Sequence, residues 1–438
     1  MKSQTVRVGL IGFGTVGGGV VRILQQREER LATHLGARLQ VQGIAVKHLD
    51  KQRNVEAPRA LLTDDALELV RRPDIDIIVE LMGGTADAKR FVLEAIAHRK
   101  HVVTANKALI ALHGTEVFDA AHRAGVGVYL EASVAGGIPI IKALHEGLAA
   151  NEIQSLYGIV NGTCNYILTQ MTQRGERFDA ALRTAQELGY AEQDPTFDVD
   201  GYDTAHKIAI LSSLAYGFNV DVNAIHIEGI RQVDASDIQY ARELGYAIKL
   251  LAISRRINGS LDLRVHPTMI PERTMLANVN EAFNAIVVVG DAVGPTLFYG
   301  KGAGQMPTAS AVVADLMDAA RTVATHAPAE IPACWHPERA VRVPIHPIEE
   351  CVTRYYLRMH VEDRPGVFAE IATILGHHRI SISAVIQKEP HSSCVDSVPI
   401  VLMTHKANEK NLRSALAEID KLACVKEPTV SIRVEADL

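Results

Sequence analysis

Residues 6–17, VRVGLIGFGTVG, decide the fold of this chain. Val6 to Ile11 is a short β-rich run. It leads into Gly12-Phe13-Gly14-Thr15-Val16-Gly17, and a helical pattern follows from Val20 into the thirties. A G-x-G-x-x-G order with a strand before it and a helix after it is a dinucleotide-binding fingerprint. The glycines permit a tight turn, let the backbone approach a pyrophosphate, and let helix and strand pack closely. The helix N-terminus then faces the phosphate charge. The alternative is a purely structural glycine turn; the setting favours cofactor binding by residues 12 to 17.

Working outward, Leu39 to Val46 reads as the next strand. An NAD-binding strand often ends here in an acid for the ribose 2′-hydroxyl. This one ends Val46-Lys47-His48. A cation can accept a 2′-phosphate, so Lys47 favours NADP, with NAD possible and an ordinary surface lysine as the alternative. Ile75 to Leu81, IDIIVEL, is a nearly continuous apolar run, as in a strand covered on both faces. It ends at Met82-Gly83-Gly84-Thr85, on the edge where ligands bind in open α/β sheets. Helical patterns near 64–72, 86–99 and 114–124 alternate with strands at 101–104 and 126–130. That alternation predicts a doubly wound parallel sheet. Thr104-Ala105-Asn106-Lys107 follows a strand end, so Lys107 is either on the ligand edge or a solvated loop lysine. Glu131-Ala132-Ser133-Val134-Ala135-Gly136-Gly137-Ile138-Pro139 is a small-residue turn with one acid. Its oxygens suit a hard cation, yet the pattern by itself favours a tight turn with no ion.

Beyond Asn151 the character changes. Ile153 to Val160 is strand-like and ends at Asn161-Gly162-Thr163-Cys164-Asn165; helical stretches start at Tyr166 and cover 178–188, with Gly189 as a C-terminal glycine. Leu244 to Asn258 begins helical and ends strand-like. Leu261 to Pro267 and Asn284 to Gly290 read as strands, Gly294 to Pro307 as a Gly-rich loop, and Thr308 to Thr325 as a helix with Pro307 at its start. That late helix can pack back on the first sheet, which gives a discontinuous nucleotide domain, 1–140 plus about 307–330. Residues 141–306 read as an α+β domain, and the Pro-rich 331–350 stretch as a linker. Residues 351–438 follow a βαββαβ pattern, a ferredoxin-like unit. It carries no acid/base cluster comparable with that of residues 187–211, so a binding or regulatory role is expected of it.

One stretch concentrates the chemistry: Glu187 to Leu211, ELGYAEQDPTFDVDGYDTAHKIAIL. Glu192, Asp194, Asp198, Asp200 and Asp203 crowd a Gly- and Pro-interrupted loop. Asp203 and Lys207 then stand four apart on a helical pattern, one turn apart on one face. A lysine held against carboxylates inside an apolar helix can be tuned for proton transfer. The competing reading is a loop of solvated acids with a surface ion pair.

The 438 residues exceed one core, so two or three domains are expected. A net charge of −6 without a long basic run gives no argument for nucleic acid. No apolar run reaches about eighteen residues, so no membrane span is expected. Entry straight into a strand pattern argues against a signal peptide. Five cysteines (Cys164, Cys334, Cys351, Cys394, Cys424) lack CxxC spacing, which fits a reducing compartment and neither a disulfide frame nor a zinc site.

The fingerprint, the TANK loop and the acidic stretch together resemble the homoserine dehydrogenase family, in its bacterial form with a C-terminal ACT domain. The resemblance covers essentially the whole chain. The family's EPDP-like loop appears as Glu192-Gln193-Asp194-Pro195, with its first proline replaced and its acid kept; DRPGVFAEIA at Asp363 to Ala372 is similar to an ACT helix entry. The resemblance implies NAD(P)-dependent interconversion of L-homoserine and L-aspartate 4-semialdehyde, on the route to threonine, methionine and isoleucine. It implies Lys207 as proton donor, Asp203 as its neighbouring carboxylate, Glu192 and Asp198 as substrate-side acids, and Lys107 near both nicotinamide and substrate. Thr104, Gly189 and Gly304 fall to the cofactor. Glu131, Val134, Gly136 and Ile138 match a structural sodium site, which reverses the reading of that turn. An amino-acid effector, most plausibly threonine, a homodimer or homotetramer, and a cytoplasmic setting complete the implied picture. Two competitors stand beside it: another NAD(P)-dependent reductase of amino-acid aldehydes, and a non-catalytic amino-acid sensor.

Overall fold

The computed structural model describes residues 4–329, 332–335, 343–388 and 397–438. Cys394 and much of the expected linker lie outside them. The chain forms two compact units. The first comprises Met1–Asn161, Asp203–Ile225 and Phe283–Val343; the second comprises Gly162–Tyr202, His226–Ala282 and Pro344–Leu438.

In the first unit, six parallel strands form one sheet: Gln4–Ile11, Ala37–Ala45, Leu62–Thr63, Ile77–Glu80, His101–Thr104 and Val128–Tyr129. Their spatial order is third, second, first, fourth, fifth, sixth. The order reverses direction between the first and fourth strands, which opens the crevice where such sheets bind dinucleotides. Val6, Val8, Leu10, Ile77 and Val79 are wholly buried, as strands covered on both faces require. The helix Gln305–Thr325 returns to this sheet and buries Val312, Leu316 and Ala319 in the same core as Val20 of the helix Thr15–Gln26. Gly19 makes the helix crossing possible: a Cβ there would stand 2.8 Å from Ala309 Cβ. Three antiparallel strands, Ile153–Ile159, Phe283–Gly290 and Gly294–Lys301, complete the unit.

In the second unit, the four strands Val352–Val361, Ile382–Gln387, Val398–Thr404 and Val430–Val434 and the helices Val367–His377 and Glu409–Ile419 make the expected ferredoxin-like βαββαβ fold. The strand order, fourth, first, third, second, belongs to that arrangement. Leu357, Met359, Ile371, Leu375, Leu402 and Leu412 fill its core. The outer strand continues onto a long hairpin, with Thr268 paired to Arg433 and Met269 to Val434.

Three expectations need correction. The 244–258 stretch does not begin as a helix: Tyr246–Ile257 is strand throughout and pairs with Ser260–Pro271. Asn258 and Gly259 both have positive φ, +47° and +84°, which makes the two-residue hairpin turn that an Asn-Gly pair signals. The Gly-rich 294–307 stretch is not all loop either. Gly294–Lys301 is a strand against Phe283–Gly290, because Thr296, Phe298 and Lys301 find ladder partners that short-range pattern does not reveal. In addition, the helix expected from Gly114 starts at Lys107. No helix among the described residues is long and apolar enough to cross a membrane.

Candidate active site

The carboxyl edge of the parallel sheet is built by a short chain of hydrogen bonds. Glu80 ends its strand fully buried. Its carboxylate accepts Thr104 Oγ1 at 2.6 Å and the Met82 amide at 2.8 Å. Thr104 Oγ1 in turn accepts the Asn106 amide at 3.0 Å. Asn106 caps the next helix by accepting Leu109 N at 3.0 Å, and its amide nitrogen donates to Gly84 O at 2.7 Å. Lys107 is therefore the first residue of a capped helix rather than a loose loop residue.

Lys107 Nζ stands 2.8 Å from Asp203 Oδ1, and Lys207 Nζ stands 2.7 Å from Asp203 Oδ2. Lys207 also donates to Val160 O at 2.6 Å, and Asn161 donates to Asp203 Oδ2 at 2.9 Å. Asp203 is only 3% exposed, so the reading of a solvated surface pair fails. Burial opposes its ionisation, but the Lys207 and Lys107 charges outweigh burial and hold its carboxyl well below the usual range. Two ammonium groups against one carboxylate leave a net positive spot, suited to an oxygen that gains negative charge. Glu80 behaves oppositely: desolvation raises its carboxyl to about 7, and the hydrogen bonds from Thr104 and Met82 only partly offset this.

The fingerprint residues fit a dinucleotide. Gly12 has φ +101°, and a Cβ there would lie 2.6 Å from Leu81 O; a Cβ on Gly17 would lie 2.2 Å from Gly12 O. Gly14 differs, because a Cβ there would meet nothing within 4 Å, so its lack of a side chain leaves room for a ligand. Beside it is a cavity of 540 Å³ lined by Phe13, Lys47, Lys51 and Arg53, among others. Arg53 stands 5.6 Å from the centroid of the Phe13 ring and donates to the Lys51 carbonyl at 2.8 Å. Gly304, at φ +118°, caps the helix Gln305–Thr325, and Gln305 donates to Thr15 O at 3.0 Å.

At the 131–138 turn, the Glu131 carboxylate accepts the amides of Ile141 and Lys142, each at 2.8 Å. Its side chain thus caps a helix, and Asp315 accepts the Glu131 amide at 2.7 Å. Ala135 and Gly136 take positive φ, +54° and +45°. Among the described residues, no group of three or more His, Cys, Asp or Glu side chains could hold a metal ion. A cation at this turn would rest on main-chain carbonyls, such as those of Val134, Gly136 and Ile138.

Gly189, Glu192 and Asp198 belong to the second unit. Gly189, at φ +76°, closes the helix Phe178–Glu187. Glu192 is exposed. Asp198 lies on a single helical turn, Thr196–Val199, where its carboxylate accepts Thr163 Oγ1 at 3.3 Å and its carbonyl accepts Cys164 Sγ at 3.2 Å. Sequence reading overlooked Glu80, Asn161 and Arg53. Glu80 alone left a signal, as an acid inside an otherwise apolar strand.

A nucleotide cradle and a net-positive pair of half-buried lysines on a buried carboxylate define an oxidoreductase that uses a nicotinamide cofactor. Family models agree with this class: homoserine dehydrogenase, NAD binding domain, matches residues 12–131; homoserine dehydrogenase matches 139–317; the ACT domain matches 355–424. A homoserine dehydrogenase of Neisseria gonorrhoeae is 47% identical over 436 residues, 99% of each chain. The crystal structure of a homoserine dehydrogenase from Thiobacillus denitrificans superposes with a TM-score of 0.93 at 49% identity, over 99% of each chain. A hyperthermophilic archaeal homoserine dehydrogenase in complex with NADPH gives 0.61 at 27% identity, over 72% of this chain and 98% of that one. The chain belongs to the homoserine dehydrogenase family. It is an NAD(P)-dependent oxidoreductase with a C-terminal ACT domain, an arrangement that fits allosteric regulation.

Proposed function

We propose that Lys207 is the proton donor and Asp203 its organiser in the interconversion of L-homoserine and L-aspartate 4-semialdehyde. The bridging of Lys107 and Lys207 by the buried Asp203 carboxylate carries this reading. When bound, NAD(P) supplies or accepts the hydride. As the aldehyde carbon is reduced, charge builds on its oxygen, and Lys207 donates a proton there. Asp203 and Val160 O take two of the three Lys207 N–H donors and aim the third. Lys107 adds a second positive charge at the same oxygen. Glu192 and Asp198 are suited to the substrate ammonium.

NADP is the preferred cofactor in this reading, supported by Lys47, Lys51 and Arg53 in the cavity beside Gly14. Gly12 to Gly17, Thr104, Gly189 and Gly304 serve the cofactor. Sodium at the carbonyls of Glu131, Val134, Gly136 and Ile138 is structural, because hydride transfer to a carbonyl needs no metal. The ACT domain senses threonine, in a cytoplasmic homodimer or homotetramer whose 141–306 region catalyses and dimerises. The test is oxidation of NADPH and of NADH with L-aspartate 4-semialdehyde, wild type beside Lys207→Ala. The reading expects faster NADPH turnover and a loss of about 10² to 10⁴ in the variant. Full turnover in Lys207→Ala would move proton donation to Lys107 or water.

A further inference from the structure

The C-terminal sheet holds the segment that braces the acidic loop. Arg433, on the outer strand Val430–Val434, is buried and forks onto two acids. It gives Nη1 and Nη2 to Glu228 at 2.7 and 3.0 Å, and Nε and Nη2 to Glu409 at 2.9 and 2.6 Å. Tyr355 O–H fixes Glu409 from the other side at 2.7 Å. Bidentate pairs of this kind specify orientation as well as energy.

Glu228 is itself followed by a clamp on the loop. A Cβ on Gly229 would lie 2.4 Å from Val199 O and 2.5 Å from Asp200 Cα, so the two backbones are in direct contact. Ile230 N donates to Val199 O at 2.8 Å, and Arg231 reaches Asp200 Oδ1 at 2.5 Å and Thr196 Oγ1 at 3.2 Å. Every contact therefore falls on the 196–200 turn that carries Asp198. Glu228 is held in two further ways: its amide donates to Val265 O at 2.7 Å, and its Oε1 lies 2.7 Å from His226 Nε2.

We propose that Glu228, gripped by Arg433, is a positioning residue for substrate: it fixes the 196–200 turn, and through it Asp198, so that substrate affinity depends on the seating of the C-terminal sheet. This rests on the reading of Asp198 as a substrate-side acid. A merely structural ion pair would not act through Asp198.

The experiment is steady-state kinetics of the full chain with L-homoserine and NADP⁺ for Glu228→Gln, Asp198→Asn and the double variant. Glu228→Gln should raise KM for L-homoserine about tenfold while kcat changes less than about twofold and KM for NADP⁺ holds. The double variant should show no higher KM than Asp198→Asn alone, since both changes remove one effect. Multiplying effects in the double variant overturn the proposal. An unchanged KM in Glu228→Gln beside a raised one in Asp198→Asn overturns it and spares the Asp198 reading. An unchanged KM in Asp198→Asn removes that reading and the proposal together. Should Glu228→Gln fail to fold, Arg433→Lys keeps a cation beside Glu409 but cannot fork onto both acids, and the same KM rise is expected.

Discussion

Lys107 opens one helix and Asp203 lies near the start of another, yet Lys107 Nζ meets Asp203 Oδ1 at 2.8 Å. The contact joins two segments that the sequence keeps far apart. It places a cation from the sheet edge against the carboxylate that also holds Lys207.

Asp203→Asn should therefore cost activity and acid-dependent stability together. Loss of the carboxylate leaves two ammonium groups facing one another, and kcat should fall by about 10² or more. The Asp203 carboxyl is depressed in the folded protein. Its contribution is thus present above the unfolded carboxylate value and is lost as pH falls through the folded one. Urea denaturation from neutral to acid pH should show a smaller acid-induced loss of stability in Asp203→Asn than in wild type.

Glu80 should titrate with the opposite sign. Its carboxyl is raised to about 7 in the folded protein by desolvation. The native state therefore binds the proton more tightly, and stability falls as pH rises from the ordinary carboxylate range to about 7. The full effect is roughly 3 kcal/mol. Glu80→Gln, measured by urea denaturation across that window, should flatten the slope. An unchanged slope would place the Glu80 carboxyl near its ordinary value.

Two fingerprint glycines should fail in different ways. Gly17→Ala puts a Cβ 2.2 Å from Gly12 O and should destabilise the fold by about 1–3 kcal/mol. Gly14→Ala meets nothing in the protein, so its melting temperature should stay near wild type while dinucleotide binding weakens. Thermal unfolding beside cofactor titration separates the two.

Charge at Lys47 and Arg53 should sort the cofactors. Removing either cation, as in Lys47→Ser, should raise KM for NADP about tenfold and leave KM for NAD within about twofold, the scale of one lost charge-assisted hydrogen bond. Equal effects on both cofactors would detach these residues from a 2′-phosphate.

In the second unit, Arg358 closes on Asp237 with bonds of 2.6 and 3.0 Å, and Asp237 is completely buried. Arg358→Met strands that charge and should cost about 3–5 kcal/mol in urea denaturation. The double change with Asp237→Leu should recover much of the loss.

Local order was legible wherever it rests on short-range rules. The Rossmann-like sheet followed from its fingerprint and from apolar runs between helical patterns. The ferredoxin-like unit followed from alternation alone, and Asp203 with Lys207 followed from helical spacing. The hairpin at Asn258-Gly259 was missed although its turn residues signal one, because the apolar run before it reads equally as helix. The Gly294–Lys301 strand was not, because a strand of glycines and mixed side chains exists only against its partner.

By itself the sequence determined most of the element types, the glycine turn at Gly12 to Gly17 and the kinds of chemistry available. Only the tertiary structure decided which charges share a space. It set Lys107 beside Asp203, buried Glu80 under Thr104, and laid Arg433 across Glu228 and Glu409. The physical reason is range: backbone preference and helical spacing act over a few residues, whereas desolvation and ion pairing depend on whatever the folded chain brings within a few ångströms.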